Sequence, residues 1–294
     1  MVEEVVRMGH NIGVVITSFN QGLMVREAVS SVLAQSLAPT DLVVVDDGST
    51  DPQSLATLAK LKSDGILVIR QTNSGVSGAR NTGISSLATE FAAVLDGDDR
   101  FRPGFLAATV AAFADDDVVA ASSWLAMFGT ATGVVRPMGG RVVDFLARNS
   151  CPAPALFRRE LWDKVGGYDN DVTEGFEDWD FFLRMLTPGG RIEIVQEPLI
   201  EYRTKAGSAN LEGMTRRLRL YSEIIDRHSA VFESNMRAVL LAHESISIER
   251  LARWERLMLA DRSLDPGEAT FGDGGMAAVV RIATSRAPSF QAPV

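Results

Sequence analysis

Four short apolar runs divide the first part of the chain: Gly13-Val14-Val15-Ile16, Leu42-Val43-Val44-Val45, Ile66-Leu67-Val68-Ile69 and Phe91-Ala92-Ala93-Val94-Leu95. Each is strand-length and apolar on both faces. Between them lie segments read as helices: Leu23 to Ala34, closed by Pro39, then Pro52 to Lys62, then Gly75 to Leu87. Alternating strands and helices of this kind predict a parallel sheet covered on both sides. Ligands of such sheets bind beyond the carboxyl ends of the strands. Polar clusters stand at three of those ends: Thr17-Ser18-Phe19-Asn20, Asp46-Asp47 and Asp96-Gly97-Asp98-Asp99.

The last cluster is the most demanding. Three carboxylates around a glycine repel one another and stay ionised only when compensated. A divalent cation is the usual compensation, and hard oxygen ligands select Mg²⁺ or Mn²⁺. Three chemistries use acids at strand ends. A dinucleotide-dependent dehydrogenase needs Gly-x-Gly-x-x-Gly after its first strand, and Thr17-Ser18-Phe19-Asn20-Gln21-Gly22 is not that. A phosphatase with an aspartate nucleophile carries its Asp-x-Asp near the N-terminus, whereas here three strands precede it. The third option is a nucleotide-sugar transferase, in which a metal bridges the diphosphate leaving group and an acid contacts the ribose.

Composition agrees with a globular chain, 46% hydrophobic and 23% charged. A net charge of −9 offers no global field for nucleic acid. Cys151 is the only cysteine, which rules out an intramolecular disulfide or a Cys-rich zinc site and fits a reducing compartment. His10, His228 and His243 match no ligand spacing. No signal-peptide pattern and no membrane-length apolar run is present, so the expected location is cytoplasmic, at most peripheral to the inner face of the membrane.

Further on, the spacing predicts a helix over Phe105 to Phe113, strands over Val118 to Phe128 and Val134-Val135, and a helix over Arg141 to Asn149. A strand over Ala153 to Phe157, a helix over Arg158 to Val165, a helix over Glu177 to Leu186 and strands over Arg191 to Val195 and Leu199 to Arg203 follow. Beyond Lys205 the chain reads as helical to about Ala260, with a loosely ordered tail.

In order and spacing, GVVITSFN, LVVVDDGSTD, NSGVSGARNTGI and FAAVLDGDDRFRPGFL, then ALFRRELWDKVGGYDN, EGFEDWDFFLRML and EYRTKAGS, resemble the family 2 glycosyltransferases. The resemblance covers roughly residues 11 to 208. It implies an α/β chain of GT-A (Rossmann-like) fold, with a mostly parallel central sheet flanked by helices and a helical C-terminal extension. The organisation it implies is a nucleotide-sugar-binding half over 1–100, an acceptor-binding half of the same domain with the catalytic base over 101–208, and the extension over 209–294.

The implied reaction is inverting transfer of a sugar from a nucleotide diphosphate donor, expected to be a UDP-hexose or UDP-N-acetylhexosamine. The acceptor is a hydroxyl on a saccharide, a lipid-linked molecule or a small metabolite. Carried over by position, Thr17 and Asn20 touch the nucleotide, Asp46 bonds the base with Asp47 close by, and Arg80 lies over the nucleotide or its phosphates. Asp96 holds the ribose and Asp98 the metal, with Asp99 as a further candidate. Asp178 of the Glu177-Asp178 pair is the base that takes the acceptor proton.

One departure stands out. Relatives carry a His in the stretch that here reads Tyr202-Arg203-Thr204-Lys205-Ala206-Gly207-Ser208. A protonated Lys does not ligate a metal but neutralises a diphosphate directly, so Arg203 and Lys205 are expected to stabilise the leaving group. The alternative reading is a catalytically weak nucleotide-sugar-binding relative serving as an assembly partner. A phosphate-releasing hydrolase is the more distant one. The C-terminal helices, with Arg216, Arg217 and Arg219, are expected to cover the acceptor site, form a homodimer or touch a membrane surface.

Overall fold

The computed structural model describes residues 11–205 and 214–260 (for 254–260 the backbone only), together with 270, 275, 276, 279 and 280. The expected tail falls largely outside the described residues, as do His10 and the segment Ala206 to Ser208. The chain begins β1 (Ile12–Ser18), α1 (Met24–Leu33), β2 (Asp41–Asp46), α2 (Pro52–Ser63), β3 (Leu67–Arg70), α3 (Gly75–Ser85) and β4 (Phe91–Asp96). This is the expected alternation. Asp51 caps α2 by accepting from the Ser54 N–H at 2.8 Å, with Pro52 in the first turn.

The chain continues with β5 (Arg100–Phe101), α4 (Phe105–Ala111), β6 (Val118–Gly129), β7 (Gly133–Val135), β8 (Leu156–Arg158), α5 (Arg159–Lys164), α6 (Glu177–Leu186) and β9 (Arg191–Thr204). The extension supplies α7 (Arg217–Arg227), α8 (Ser229–Ser234) and α9 (Met236–Ala260).

All these strands join one sheet in the order β3-β2-β1-β4-β8-β6-β9-β5, with β7 on β6. β3, β2, β1 and β4 pair in parallel. β8 runs against both β4 and β6, and β9 runs parallel to β6. The long strands therefore share one direction, and their carboxyl ends share one edge. Apolar residues alternate between two cores: Ile12, Val14 and Ile16 of β1 face α1, α2 and α4, whereas Val15 faces α3 and α6.

Two expectations change. Arg141 to Asn149 is not a helix but a single 3-10 turn, Val142–Phe145, because Asn149 and Ser150 direct their side chains to other groups (Cys151 N–H, Asp178, the Asp144 carbonyl). The two strands expected between Arg191 and Arg203 are one, with register shifts against β6 around Trp124 that accommodate Pro198.

Gly83 shows how closely α3 rests on the sheet. A Cβ there would lie 2.2 Å from Val15 Cγ1, on a central strand residue that is fully buried. Val is stiff at χ1 and cannot swing aside. Gly83→Ala is expected to destabilise the chain by about 1–3 kcal/mol, read as a lowered urea midpoint with unchanged m-value.

Candidate functional site

A cleft of about 700 Å³ opens at the carboxyl ends of β1 and β4 and runs to the start of α6. Its size suits a nucleotide-sized ligand. Ser18 and Gln21 line it, and their Oγ and Oε1 atoms are buried with no hydrogen-bond partner among the described residues. A bound polar molecule would supply those partners.

Thr17 is buried at the end of β1 and donates its hydroxyl to Asp96 Oδ1 at 3.3 Å. Asn20 has a left-handed backbone (φ 52°), and its Oδ1 accepts the N–H groups of Thr50 and Asp51 at 2.8 and 2.9 Å. It therefore ties the loop after β1 to the loop after β2 and does not line the cleft.

Asp46 and Asp47 diverge. Asp46 is buried, accepts the Ser49 N–H at 2.9 Å and lies 3.2 Å from Arg70, away from the cleft. Asp47 lines the cleft and accepts the N–H groups of Ser74 and Gly75, each at 2.9 Å. Its carboxylate thus sits on the N-terminus of α3, where the helix dipole favours negative charge. Consecutive residues leaving a strand point to opposite sides, and here that geometry selects Asp47 for the cleft.

Arg80 of α3 is almost completely buried and bridges two acids, Asp96 at 2.9 Å and Glu177 at 3.0 Å. Its guanidinium also lies over the Tyr168 ring at 5.2 Å. Burial would favour loss of its proton, but Asp96 and Glu177 outweigh burial and hold it charged. Through Arg80 the end of β4 is joined to the start of α6.

The Asp96–Asp99 turn is held by β9. Gly97 lets it approach β1, because a Cβ there would lie 2.6 Å from the Thr17 carbonyl oxygen. The Arg203 N–H donates to Asp99 Oδ1 at 2.7 Å and its Nε donates to the Asp98 carbonyl at 2.8 Å. Its other end reaches Glu27 of α1 at 2.7 Å and lies over Phe128 at 4.4 Å. Arg203 is thus engaged in holding the turn. Asp99 is buried, and burial, reinforced by Asp98 and Asp96, pushes its carboxyl well above the usual range.

Asp98 faces the cleft with Lys205 Nζ 2.8 Å from its Oδ2, while among the described residues its Oδ1 meets Gln21 Nε2, at 3.5 Å. Among the described residues no group of three or more His, Cys, Asp or Glu is disposed to hold a metal ion. One carboxylate, already paired with an ammonium, does not by itself fit Mg²⁺ or Mn²⁺.

Asp178 stands in the first turn of α6. Gly175 and Phe176 both have positive φ (120° and 67°), and this tight turn brings Glu177 and Asp178 to the cleft. A left-handed Phe costs on the order of 1–3 kcal/mol, a cost found at sites where orientation matters. Asp178 Oδ1 accepts the Trp179 N–H at 2.8 Å and Oδ2 accepts Asn149 Nδ2 at 3.0 Å. Burial at the floor of the cleft, with Glu177 adding and Arg80 opposing, pushes its carboxyl up to about 7. That is the range of a general base near neutral pH.

Several partners were not legible. Asn149, Gln21 and Glu27 carry no sequence signal, because each acts only through contacts to elements far away in the chain. Trp179 is core: it is buried, donates Nε1–H to the Phe145 carbonyl at 2.7 Å and stacks on Tyr221. His228 pairs with buried Asp180 at 3.0 Å and so joins the extension to α6, whereas His243 meets Tyr221 Oη at 2.8 Å within the extension. Arg216 and Arg217 line the mouth of the cleft, and Arg216 and Arg219 both pair with Glu174. Among the described residues no helix is long and apolar enough to cross a membrane.

Comparison with known proteins shows the family and the fold of the chain. The family model described as glycosyl transferase family 2 matches residues 13–166, more than half of the chain, and a related model, glycosyltransferase like family 2, matches 111–232. The minor teichoic acid biosynthesis protein GgaA of Bacillus subtilis is 33% identical over 209 residues, 65% of this chain and 47% of that protein. Four curated relatives are spanned over 67%, 34%, 27% and 58% of their lengths. Among solved structures, S. aureus TarS 1-349 in complex with UDP-GlcNAc superposes with a TM-score of 0.57 at 19% identity, covering 75% of this chain and 73% of that one. The mannosyltransferase PcManGT from Pyrobaculum calidifontis, in complex with GDP-Man and Mn²⁺, gives 0.56 at 18% identity, covering 94% and 86%. With a curled α/β sheet of GT-A type, polar strand ends on one edge and a family model matched over more than half its length, this chain belongs to glycosyl transferase family 2.

Proposed function

We propose that this chain transfers a sugar, with inversion, from a nucleoside diphosphate donor to a hydroxyl acceptor, with Asp178 as the base. The observation that carries the proposal is the placement of Asp178. Its carboxyl is raised to about 7, held by Asn149 and the Trp179 N–H, and shares one cleft with Asp47, Asp96 and Asp98.

In this reading Asp47, with Thr17 nearby, meets the nucleotide base, and Asp46 and Asn20 hold the loops that carry those contacts. Asp96, oriented by Thr17 and Arg80, holds the ribose. Arg80 acts through Asp96 and Glu177, since both ends of its guanidinium already pair with them. Arg203 and Asp99 fix the turn, which leaves Lys205 as the cation nearest the departing diphosphate. The acceptor oxygen attacks the anomeric carbon and Asp178 takes its proton. The bond to the diphosphate breaks with its electron pair on the phosphate oxygen.

A UDP-hexose or UDP-N-acetylhexosamine is the proposed donor, and the UDP-GlcNAc complex of TarS supports it as a likeness of fold. A saccharide hydroxyl is the proposed acceptor, consistent with a relative named for teichoic acid biosynthesis. The Mn²⁺ of the mannosyltransferase complex is a property of that protein, and the expected cation at Asp98 rests on that likeness of fold alone. On this chain the residues favour no step through one. The exposed apolar residues Leu240, Leu241, Ile248 and Leu251 of α9 are the surface that a homodimer or a peripheral membrane contact would use.

Release of nucleoside diphosphate from a panel of UDP- and GDP-sugars tests the function. One donor should stabilise the chain by about 3 kcal/mol at a hundredfold excess over its Kd and yield its diphosphate when an acceptor is added. Tight donor binding without release would instead favour the assembly partner, and phosphate release without donor would favour the hydrolase.

A further inference from the structure

The pairing of Lys205 with Asp98 has a meaning beyond a surface ion pair. Lys205 Nζ lies 2.8 Å from Asp98 Oδ2, with the lysine side chain 45% exposed and the aspartate 19%. The ammonium therefore stands at the cleft wall with one side on the carboxylate and the other open. Its position is built, not accidental. Arg203 is tied to Asp99 and Asp98 through its backbone N–H and Nε, and Lys205 follows directly on the end of β9 that this anchor holds. Asp96 and Asp99 are engaged elsewhere, with Arg80 and with the Arg203 N–H.

Resting on the glycosyltransferase reading, we propose that Lys205 takes the place of the divalent cation: carried on Asp98, its ammonium neutralises the donor diphosphate, and donor binding and transfer proceed without added metal. A lysine suits this role, because its ammonium is a compact charge on a flexible stem and reaches phosphate oxygens without leaving the vicinity of its acid. Fixed positive charge where negative charge develops on the leaving group is the largest single contribution many active sites make. The balance is complete without a metal. The carbon–oxygen bond to the diphosphate breaks as the bond to the acceptor oxygen forms, and the acceptor proton goes to Asp178. Lys205 donates hydrogen bonds to the diphosphate and keeps its proton.

Direct binding of UDP, with GDP in parallel, tests the proposal by titration calorimetry in the presence of EDTA or of Mn²⁺. The unmodified chain should bind the diphosphate with Kd values within about twofold under the two conditions. Lys205→Ala should weaken binding in EDTA by about tenfold or more, equivalent to about 1.4 kcal/mol. It should recover part of that loss with Mn²⁺, because the freed Asp98 carboxylate can then meet the cation. Affinity for UMP (or GMP), which lacks the second phosphate, should be unchanged in the variant, which also reports that the variant is folded. A wild-type affinity for the diphosphate that falls tenfold on chelation would overturn the proposal, as would a Lys205→Ala variant that binds UDP and UMP like the wild type. Either result leaves the glycosyltransferase reading standing. Failure of the wild type to bind any nucleoside diphosphate under either condition would remove both.

Discussion

Asp178→Asn is expected to lower sugar transfer by about 10²–10⁴-fold, the usual contribution of a positioned base, while leaving donor affinity within a few-fold. The same variant should be more stable than the wild type at high pH. The Asp178 carboxyl is raised from 3.8 to about 7 by burial, by Glu177 and by Asp96, against the opposing pull of Arg80. A raised carboxyl favours the folded state while protonated. That contribution is fully present below pH 3.8 and is lost as the pH rises through about 7. Asparagine has no such loss. The shift sets a ceiling of about 4 kcal/mol. One amide oxygen cannot serve both the Trp179 N–H and Asn149 Nδ2, so a gain of about 1–2 kcal/mol at pH 8 is the expected size.

Urea unfolding at pH 5 and pH 8 checks this, with the variant's advantage growing with pH. Wild-type kcat/KM should fall below about pH 7 as the Asp178 carboxyl takes a proton. An Asp178→Asn variant with wild-type transfer would sink the assignment of the base.

Arg80→Met is expected to be the most destabilising single change in the site. It leaves Asp96 and Glu177 facing each other without the cation that separates them. Breaking a buried pair in this way costs about 3–5 kcal/mol, a large share of the 5–15 kcal/mol that holds an ordinary domain together. Arg80→Lys keeps the charge but cannot reach two carboxylates at 2.9 and 3.0 Å with a planar fork, so partial recovery is expected. A second readout separates an electrostatic role from packing alone. Arg80 opposes the rise of the Asp178 carboxyl, so its loss should move the acidic limb of the pH–rate profile to higher pH. If Arg80→Met unfolds too readily to assay, Arg80→Lys carries the kinetic test. An unshifted limb together with unchanged stability would show that the bridge is incidental.

Much of the part from β1 to β4 was legible because its signals are local. Strand-length β-branched runs, a proline opening α2 and acids at strand ends each declare their structure within a few residues. Asp98 and Asp178 were named from motif position alone, and both line the cleft. The acid pair after β2 was harder. Asp46 and Asp47 are chemically identical in the sequence, and only the direction in which each leaves the strand separates the one held by Ser49 and Arg70 from the one facing the cleft. The stretch from Arg141 to Asn149 has helical spacing, but side-chain bonds from Asn149 and Ser150 to Asp178, the Cys151 N–H and the Asp144 carbonyl override it. Local propensity is a weak prior when a tertiary contact competes with it.

The sequence by itself determined the class of fold, the edge of the sheet where the cleft opens and the family of the chain. Those follow from patterns that repeat over neighbouring residues. The tertiary structure decided how the charges pair. Arg80 with Asp96 and Glu177, Arg203 with Asp98, Asp99 and Glu27, and Lys205 with Asp98 each join positions distant in the chain. The energy of a buried charge depends on what stands within a few ångströms of it and on the water excluded around it, and neither distance nor burial is written in the order of the residues.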